Sequence, residues 1–314
     1  MARQPGSRTQ MALAFETVYG TAPASGYRRM PFASTTLGSE QGLLPADLLG
    51  YGRDPMAPSR DAINADGEIV VPMDAEALGF WLKAIFGSPT TTGTTPKTHT
   101  FQSGAASLPS MAIETQMPDV PRFAMYTGVV ADRIQWQMQR GGMLTATVAV
   151  VAQGEASAGT TAAGTPTDFT LPLQRFTNFQ GTISRNGSAL ANIVSAQVNY
   201  ANNLDRIETI RGDGLIAGAD PAMASLTGTI EARFADTTLL DQAIAGTPCE
   251  LAFAWSLGAN ASFTLTAHAV YLPRARVPIA GPEGVQASFE WQAARAASPA
   301  RMCTAVLVNT VASY

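Results

Sequence analysis

The sequence predicts a mainly β (α+β) protein of two tandem homologous domains, each a β-sandwich or half-barrel with one helix packed on its sheet. Three observations lead there. Most segments alternate apolar and polar residues with period two, the signature of strands with one buried face. Each half of the chain carries one amphipathic helix pattern. The elements also recur in the same order in both halves, over more than a hundred residues, which is domain length and too long for a solenoid unit.

The strand signal is plainest in MLTATVAVV (143–151), where Leu144, Ala146, Val148 and Val150 share one face. RIQWQMQR (133–140) sets Ile134, Trp136 and Met138 against Arg133, Gln135, Gln137 and Gln139. SFTLTAHAVYL (262–272) and GVQASFEWQ (284–292) alternate in the same way. Asn186-Gly187 between FQGTISR and SALANIVSAQV predicts a hairpin turn.

The helices come from DAEALGFWLKAIFG (74–87) and DTTLLDQAIAG (236–246). In the first, Leu78, Trp81, Leu82, Ile85 and Phe86 form one apolar stripe; in the second, Leu239, Leu240, Ala243 and Ile244 do so. Asp74 and Asp236 are the expected N-caps, and Gly87 and Gly246 the expected left-handed stops.

The internal repeat aligns GEIVVPMDAEALGFWLKAIFG (67–87) with GTIEARFADTTLLDQAIAG (228–246). SMAIET (110–115) follows as ELAFAW (250–255), YTGVVADRIQWQM (126–138) as LTAHAVYLPRARV (265–277), and GGMLTATVAVVAQ (141–153) as PEGVQASFEWQAA (282–294). GEASAGTTAAGTPTD (154–168) has linker composition, so the expected domains are 1–153 with an N-terminal arm and 169–314 with a C-terminal arm. The Thr-rich stretch 88–100 reads as a mobile insert.

Composition narrows the function. The 314 residues are 46% hydrophobic and only 14% charged, with a formal net charge of −4 and a pI near 5.2. A dedicated nucleic-acid binder needs clustered basic residues, and here Lys83 and Lys97 are the only lysines. No run of 18 apolar residues suggests a membrane helix. No secretory leader is recognisable, so synthesis in a cytoplasm is expected. Cys249 and Cys303 read as buried thiols.

A catalytic reading finds no support. Nucleophile-elbow, phosphate-loop and zinc-helix motifs are absent. Of the two histidines, His99 lies in the Thr-rich segment and His268 alternates with Ala267 and Ala269 in a strand, so neither reads as the base of a Ser–His–Asp triad. GDGLIAGAD (212–220) lacks the strand–helix context of a nucleotide fingerprint and the alternate oxygen ligands of a calcium loop. Catalytic, cofactor and metal residues are therefore expected to be none.

Two connections near thirty residues, 37–67 and 199–228, are long enough to be functional. Leu43, Leu44, Leu48, Leu49 and Tyr51 are too apolar for a freely solvated loop, which marks an interaction surface. With Arg53, and with Arg206, Ile207, Arg211 and Leu215 on the second connection, they are the expected contacts between subunits or rings.

FETVYGT (15–21), MPFASTTLGSEQGLL (30–44), LGYGRDP (49–55) and GEIVVPMDAEALGFWLKAIFG (67–87) together resemble the tail tube proteins of long-tailed bacteriophages. The resemblance is clearest over 15–153. It implies a structural virion protein made in the host bacterial cytoplasm, whose rings stack into a hollow conduit for genomic DNA. The implied partners are further copies of itself, a tape-measure protein and tail-end proteins, with DNA passing unbound. Two tube-like domains per chain imply a trimeric, pseudo-hexameric ring. About four strands per domain then close an inner barrel of about 24, roughly 48 Å across at a spacing of about 4.8 Å and a tilt of about 40°. The other readings are a single-ring tail component, such as a tail terminator or baseplate-hub ring, and an extracellular adhesin or pilus-like subunit.

Overall fold

The computed structural model describes residues 3–279, 281–282 and 284–314. Among the described residues about half is strand, every ladder between named strands is antiparallel, and two α-helices accompany the sheet. Most connections are hairpins or loops, as antiparallel pairing allows, and the two helices lie in the connections from Met56–Pro72 to Thr90–Thr92 and from Ser225–Arg233 to Cys249–Gly258.

Eight strands form one continuous wall. Gly38–Ala46 lies against Met56–Pro72, then come Thr145–Ala152, Arg122–Met138, Ile193–Ala201, Ser225–Arg233, Gln286–Ala294 and the end of Ala261–Tyr271. The first four belong to the first half of the chain and the last four to the second. Between them the halves are joined by backbone pairing of 133–138 with 196–201.

In each half one strand leaves the wall and enters a second layer. The N-terminal part of Arg122–Met138 pairs with Met111–Met117 on one edge and Gly154–Ala158 on the other, and Met111–Met117 carries Gln10–Phe15. Ala261–Tyr271 likewise pairs with Cys249–Gly258 and Cys303–Asn309, and Cys249–Gly258 carries Gly181–Arg185. Side chains from both layers and both helices fill one shared core, in which Trp81, Trp136, Trp255 and Trp291 are buried. The alternation read from the sequence matches: Ile134, Trp136 and Met138 point inward.

Helix α1 spans Leu78–Phe86 and α2 spans Thr238–Ala245. Asp74 does not sit at the helix terminus. Its Oδ1 accepts the Glu76 and Ala77 N–H groups at 2.8 and 2.7 Å, capping a turn that leads into α1 at Leu78. Gly246 ends α2 in the left-handed region, whereas Gly87, at φ 87° and ψ −175°, redirects the chain by a different positive-φ conformation. Asn186 and Gly187 (φ 48° and 78°) make the expected turn.

Two segments differ from their sequence reading. The stretch 88–100 folds as part of the sheet. Thr90–Thr92 and Lys97–Gln102 form a hairpin whose second strand pairs with Cys303–Asn309. Alternating threonines are good strand formers once an edge is offered. The linker-like stretch 154–168 begins with the strand Gly154–Ala158, and Glu114 fixes its continuation by accepting from Thr161 Oγ1 at 2.6 Å and the Ala162 N–H at 2.7 Å. Small residues gave it linker composition, yet small residues are what close packing on a neighbouring strand requires.

Candidate assembly surface

The connection 37–67 is a two-stranded arm. Gly38–Ala46 and Met56–Pro72 pair from the wall outward, with Leu43 opposite Arg60, Leu44 opposite Ser59 and Ala46 opposite Met56. From about residue 40 to residue 62 nearly every side chain is exposed. At about 3.3 Å per residue the arm reaches some 25 Å beyond the body. Leu43 and Leu44 lie on its first strand, and Leu48, Leu49, Tyr51 and Arg53 at its turn. Leu49 is 96% exposed and Tyr51 71%.

The second connection folds back instead. Asp205–Ile207 and Gly218–Asp220 form a small separate ribbon. Ile216 and Ala219 cover Val151 in a satellite apolar cluster. Gly214 O accepts the Ile63 N–H at 2.9 Å, and Arg206 forms an ion pair with Asp66, so this ribbon buttresses the root of the arm. Ile207 and Leu215 are half-buried, with Leu215 lying over Gly154. Arg211 bonds Asp213 within its own turn at 2.7 Å and holds that carboxyl low, at about 2. The ten residues expected to make contacts between subunits or rings thus lie in two places, on the exposed arm (43–53) and beside its root (206–215). No local pattern distinguishes them, because the distinction comes from the distant strand that the ribbon covers.

A second surface escaped the sequence reading. The wall face opposite the core carries Gln135, Gln137, Gln197, Asn199, Thr227 and Thr229 as a field of neutral amides and hydroxyls. Arg133 is paired with Glu68 at 2.5 Å, and Ser195 donates to Glu231 at 2.8 Å. The alternation itself was legible, but not that polar faces of separate strands align into one surface.

Reactive chemistry is not assembled anywhere among the described residues. His99 is fully buried, bonded to Thr91 Oγ1 (2.9 Å), Asn309 Oδ1 (3.1 Å) and the Val311 carbonyl (3.0 Å), and burial lowers its pKa. It is a packed tie between the Thr-rich hairpin and the 303–309 strand. His268 lies between Glu250 and Thr304. Cys249 and Cys303 are free and buried, and burial pushes the Cys303 thiol up to about 12, so neither supplies a thiolate. Among the described residues no helix is long and apolar enough to cross a membrane, and no cluster of His, Cys, Asp or Glu could hold a metal ion.

The surfaces the fold presents are thus an exposed apolar arm and a polar wall face. A family model for phage tail tube proteins matches residues 6–293. The chain belongs to the phage tail tube protein family. It is a non-enzymatic structural component of the virion tail. No curated protein matches it. The match spans both halves of this tail tube protein, including the stretch beyond residue 153 where the sequence resemblance is weakest.

Proposed function

We propose that this tail tube protein is a duplicated chain, three copies of which close a ring, and that the rings stack through the 37–67 arm into the conduit for DNA. The observation that carries the reading is the eight-stranded wall, four strands from each half, open at both edges. Six pairings of the first half have counterparts in the second, in the same arrangement. Even a register shift recurs: Met111 faces Val129 and Ile113 faces Tyr126, while Cys249 faces Val270 and Leu251 faces Ala267. By these ladders two of the aligned segments, 110–115 and 126–138, move by two residues from the sequence alignment, and their sidedness is kept.

Three such walls make 24 strands, the number expected from the sequence, and closing them removes both open edges. The polar face suits the bore, because its amides, its hydroxyls and the carboxylates of Glu231 and Glu290 do not hold phosphates by counterion release as a basic face would. The arm suits the stacking contact. A lone two-stranded ribbon is marginal in water, and one bearing exposed leucines is stabilised when another copy covers it. Top-to-bottom stacking is heterologous and therefore open-ended. The tape-measure protein and tail-end proteins are the further partners.

Negative-stain imaging of the purified protein tests this. Tubes with three chains per ring are expected. Isolated rings that never stack favour a tail terminator or hub ring, and neither rings nor tubes refutes the reading.

A further inference from the structure

We infer that ring closure pairs residues 274–279 of one copy, antiparallel, with residues 35–40 of the next, Arg274 opposite Glu40. This rests on the duplicated-ring reading and adds the partner edges and their register.

The register follows from the junction already inside the chain. There 133–138 pairs with 196–201, Arg133 opposite Ala201 and Met138 opposite Ala196. The ladders give the counterpart of each strand. Val150 faces Gly67 and Trp291 faces Gly228, while Val151 faces Val130 and Gln292 faces Tyr271. Val130 therefore corresponds to Tyr271, and 133–138 to 274–279. On the other side Gly228 faces Val198, and Gly67 falls opposite Leu37, between the pairs Gly38–Asp66 and Thr35–Ile69. Hence 196–201 corresponds to 35–40. Among the described residues both stretches lack a strand partner on the edge in question: 272–279 pairs with nothing, and 34–46 pairs only with Met56–Pro72.

Three independent features fit this register. Ala275 and Val277 are half-buried against the core while Arg274 and Arg276 are exposed, the alternation of Ile134, Trp136 and Met138 against Arg133, Gln135 and Gln137. The prolines fall where the ladder tolerates them. The Asn202 N–H donates to the Asp132 carbonyl, so residues 132, 134, 136 and 138 are the hydrogen-bonding positions. Pro278 corresponds to 137, between those positions. Pro273 corresponds to Asp132, where the observed bond needs only a carbonyl.

The third feature is uncovered apolar surface at the counterpart positions. At the internal junction Ile85 at the end of α1 is fully buried and Met138 is 6% exposed. Their counterparts, Ile244 at the end of α2 and Ile279, are 53% and 80% exposed. A neighbouring copy seated on this edge covers both. Arg274 and Glu40 then meet as a non-hydrogen-bonded cross-strand pair, the closer of the two pair types.

The test is the double variant Glu40→Cys/Arg274→Cys, assembled and then oxidised. Cross-strand neighbours at this spacing satisfy disulfide geometry, and the native Cys249 and Cys303 are buried and free. Most of the protein is expected to shift into covalent species ending at three chains. Tubes that stay monomeric under denaturing, non-reducing conditions overturn the register while leaving the tube reading intact. A ladder running on to six keeps the register and overturns the three-copy ring. A second arm covers loss of assembly by the cysteines: Arg274→Glu alone is expected to abolish rings, and Glu40→Arg/Arg274→Glu to restore them. Normal assembly of Arg274→Glu overturns the proposal. Failure of the unsubstituted chain to form any ring or tube counts against the proposed function itself.

Discussion

Phe86 and Tyr200 meet with ring centroids 4.5 Å apart, tilted 53°, across the junction between the two halves of the chain. Phe86 ends helix α1 of the first half, and Tyr200 belongs to the first wall strand of the second. Beside them Asn202 donates to the Ile85 and Ala131 carbonyls, both at 3.1 Å. The end of one half's helix is thereby fixed to the other half's strand. Phe86→Ala is expected to cost about 3–5 kcal/mol, the usual range for emptying a buried aromatic site. Chemical denaturation of the unassembled protein measures this. A loss under 1 kcal/mol would mean the junction is not held by this contact.

Glycines 67 and 228 stand at matching places and have matching reasons. A Cβ on Gly67 would lie 2.5 Å from the Leu37 backbone, and one on Gly228 would lie 2.0 Å from the Gln197 carbonyl oxygen. Gly67 also has φ of 159°. Gly228→Ala must push apart two wall strands or displace the buried Trp291 ring, so a loss of about 1–3 kcal/mol is expected. Gly212→Ala, with nothing within 4 Å of its Cβ, is the neutral control. Equal melting temperatures for the two variants would contradict the close approach.

Asp74 gives a pH dependence of unusual sign. Burial raises its pKa from 3.8 to about 6, outweighing the Ala77 and Glu76 N–H bonds. A carboxyl whose folded pKa lies above its unfolded value favours the folded state when protonated. Its contribution is therefore present below about pH 4 and is lost as pH rises to about 6. Asp74→Asn can keep an oxygen for the two N–H groups without the buried charge. The variant is expected to be more stable than the parent at pH 7.5, on the order of 2 kcal/mol, with the difference shrinking toward pH 4. Thermal melts at the two pH values decide it; a gap that widens on acidification would refute the sign.

The arm tip should separate folding from assembly. Leu48, Leu49 and Tyr51 are exposed and contribute little to the subunit's own core. Replacing all three by Ser is expected to change unfolding free energy by less than about 0.5 kcal/mol per site, yet to abolish tubes in the electron microscope. Deleting residues 43–51 should act in the same way. Intact tubes from either variant would remove the arm from ring stacking.

Much of this fold was legible because its strands are half-buried. Period-two alternation reports one buried face directly, so Ile134, Trp136 and Met138 were placed correctly. The turn at Asn186-Gly187 was equally local, since both residues need positive φ. What remained hidden was long-range. The Thr-rich stretch 90–102 has a single inward-facing apolar residue, Phe101, and its strands are fixed by pairing with each other and with Cys303–Asn309. Leu215 looks as free as Leu48 and Leu49, because the Gly154 backbone that it covers is some sixty residues away in the chain. The arm itself was legible as an apolar excess in a long connection, while its hairpin register depends on the Met56–Pro72 strand continuing out of the wall.

The pairing of Lys97–Gln102 with Cys303–Asn309 bears on when the subunit becomes competent. The hairpin and the strand it docks on lie some two hundred residues apart in the chain. A nascent chain halted before residue 303 leaves one edge of that hairpin bare and His99 without its Asn309 and Val311 acceptors. Contacts of such long sequence separation form late and slowly. During translation the hairpin thus waits for residues 303–309, and a fragment that lacks them presents an unfinished edge.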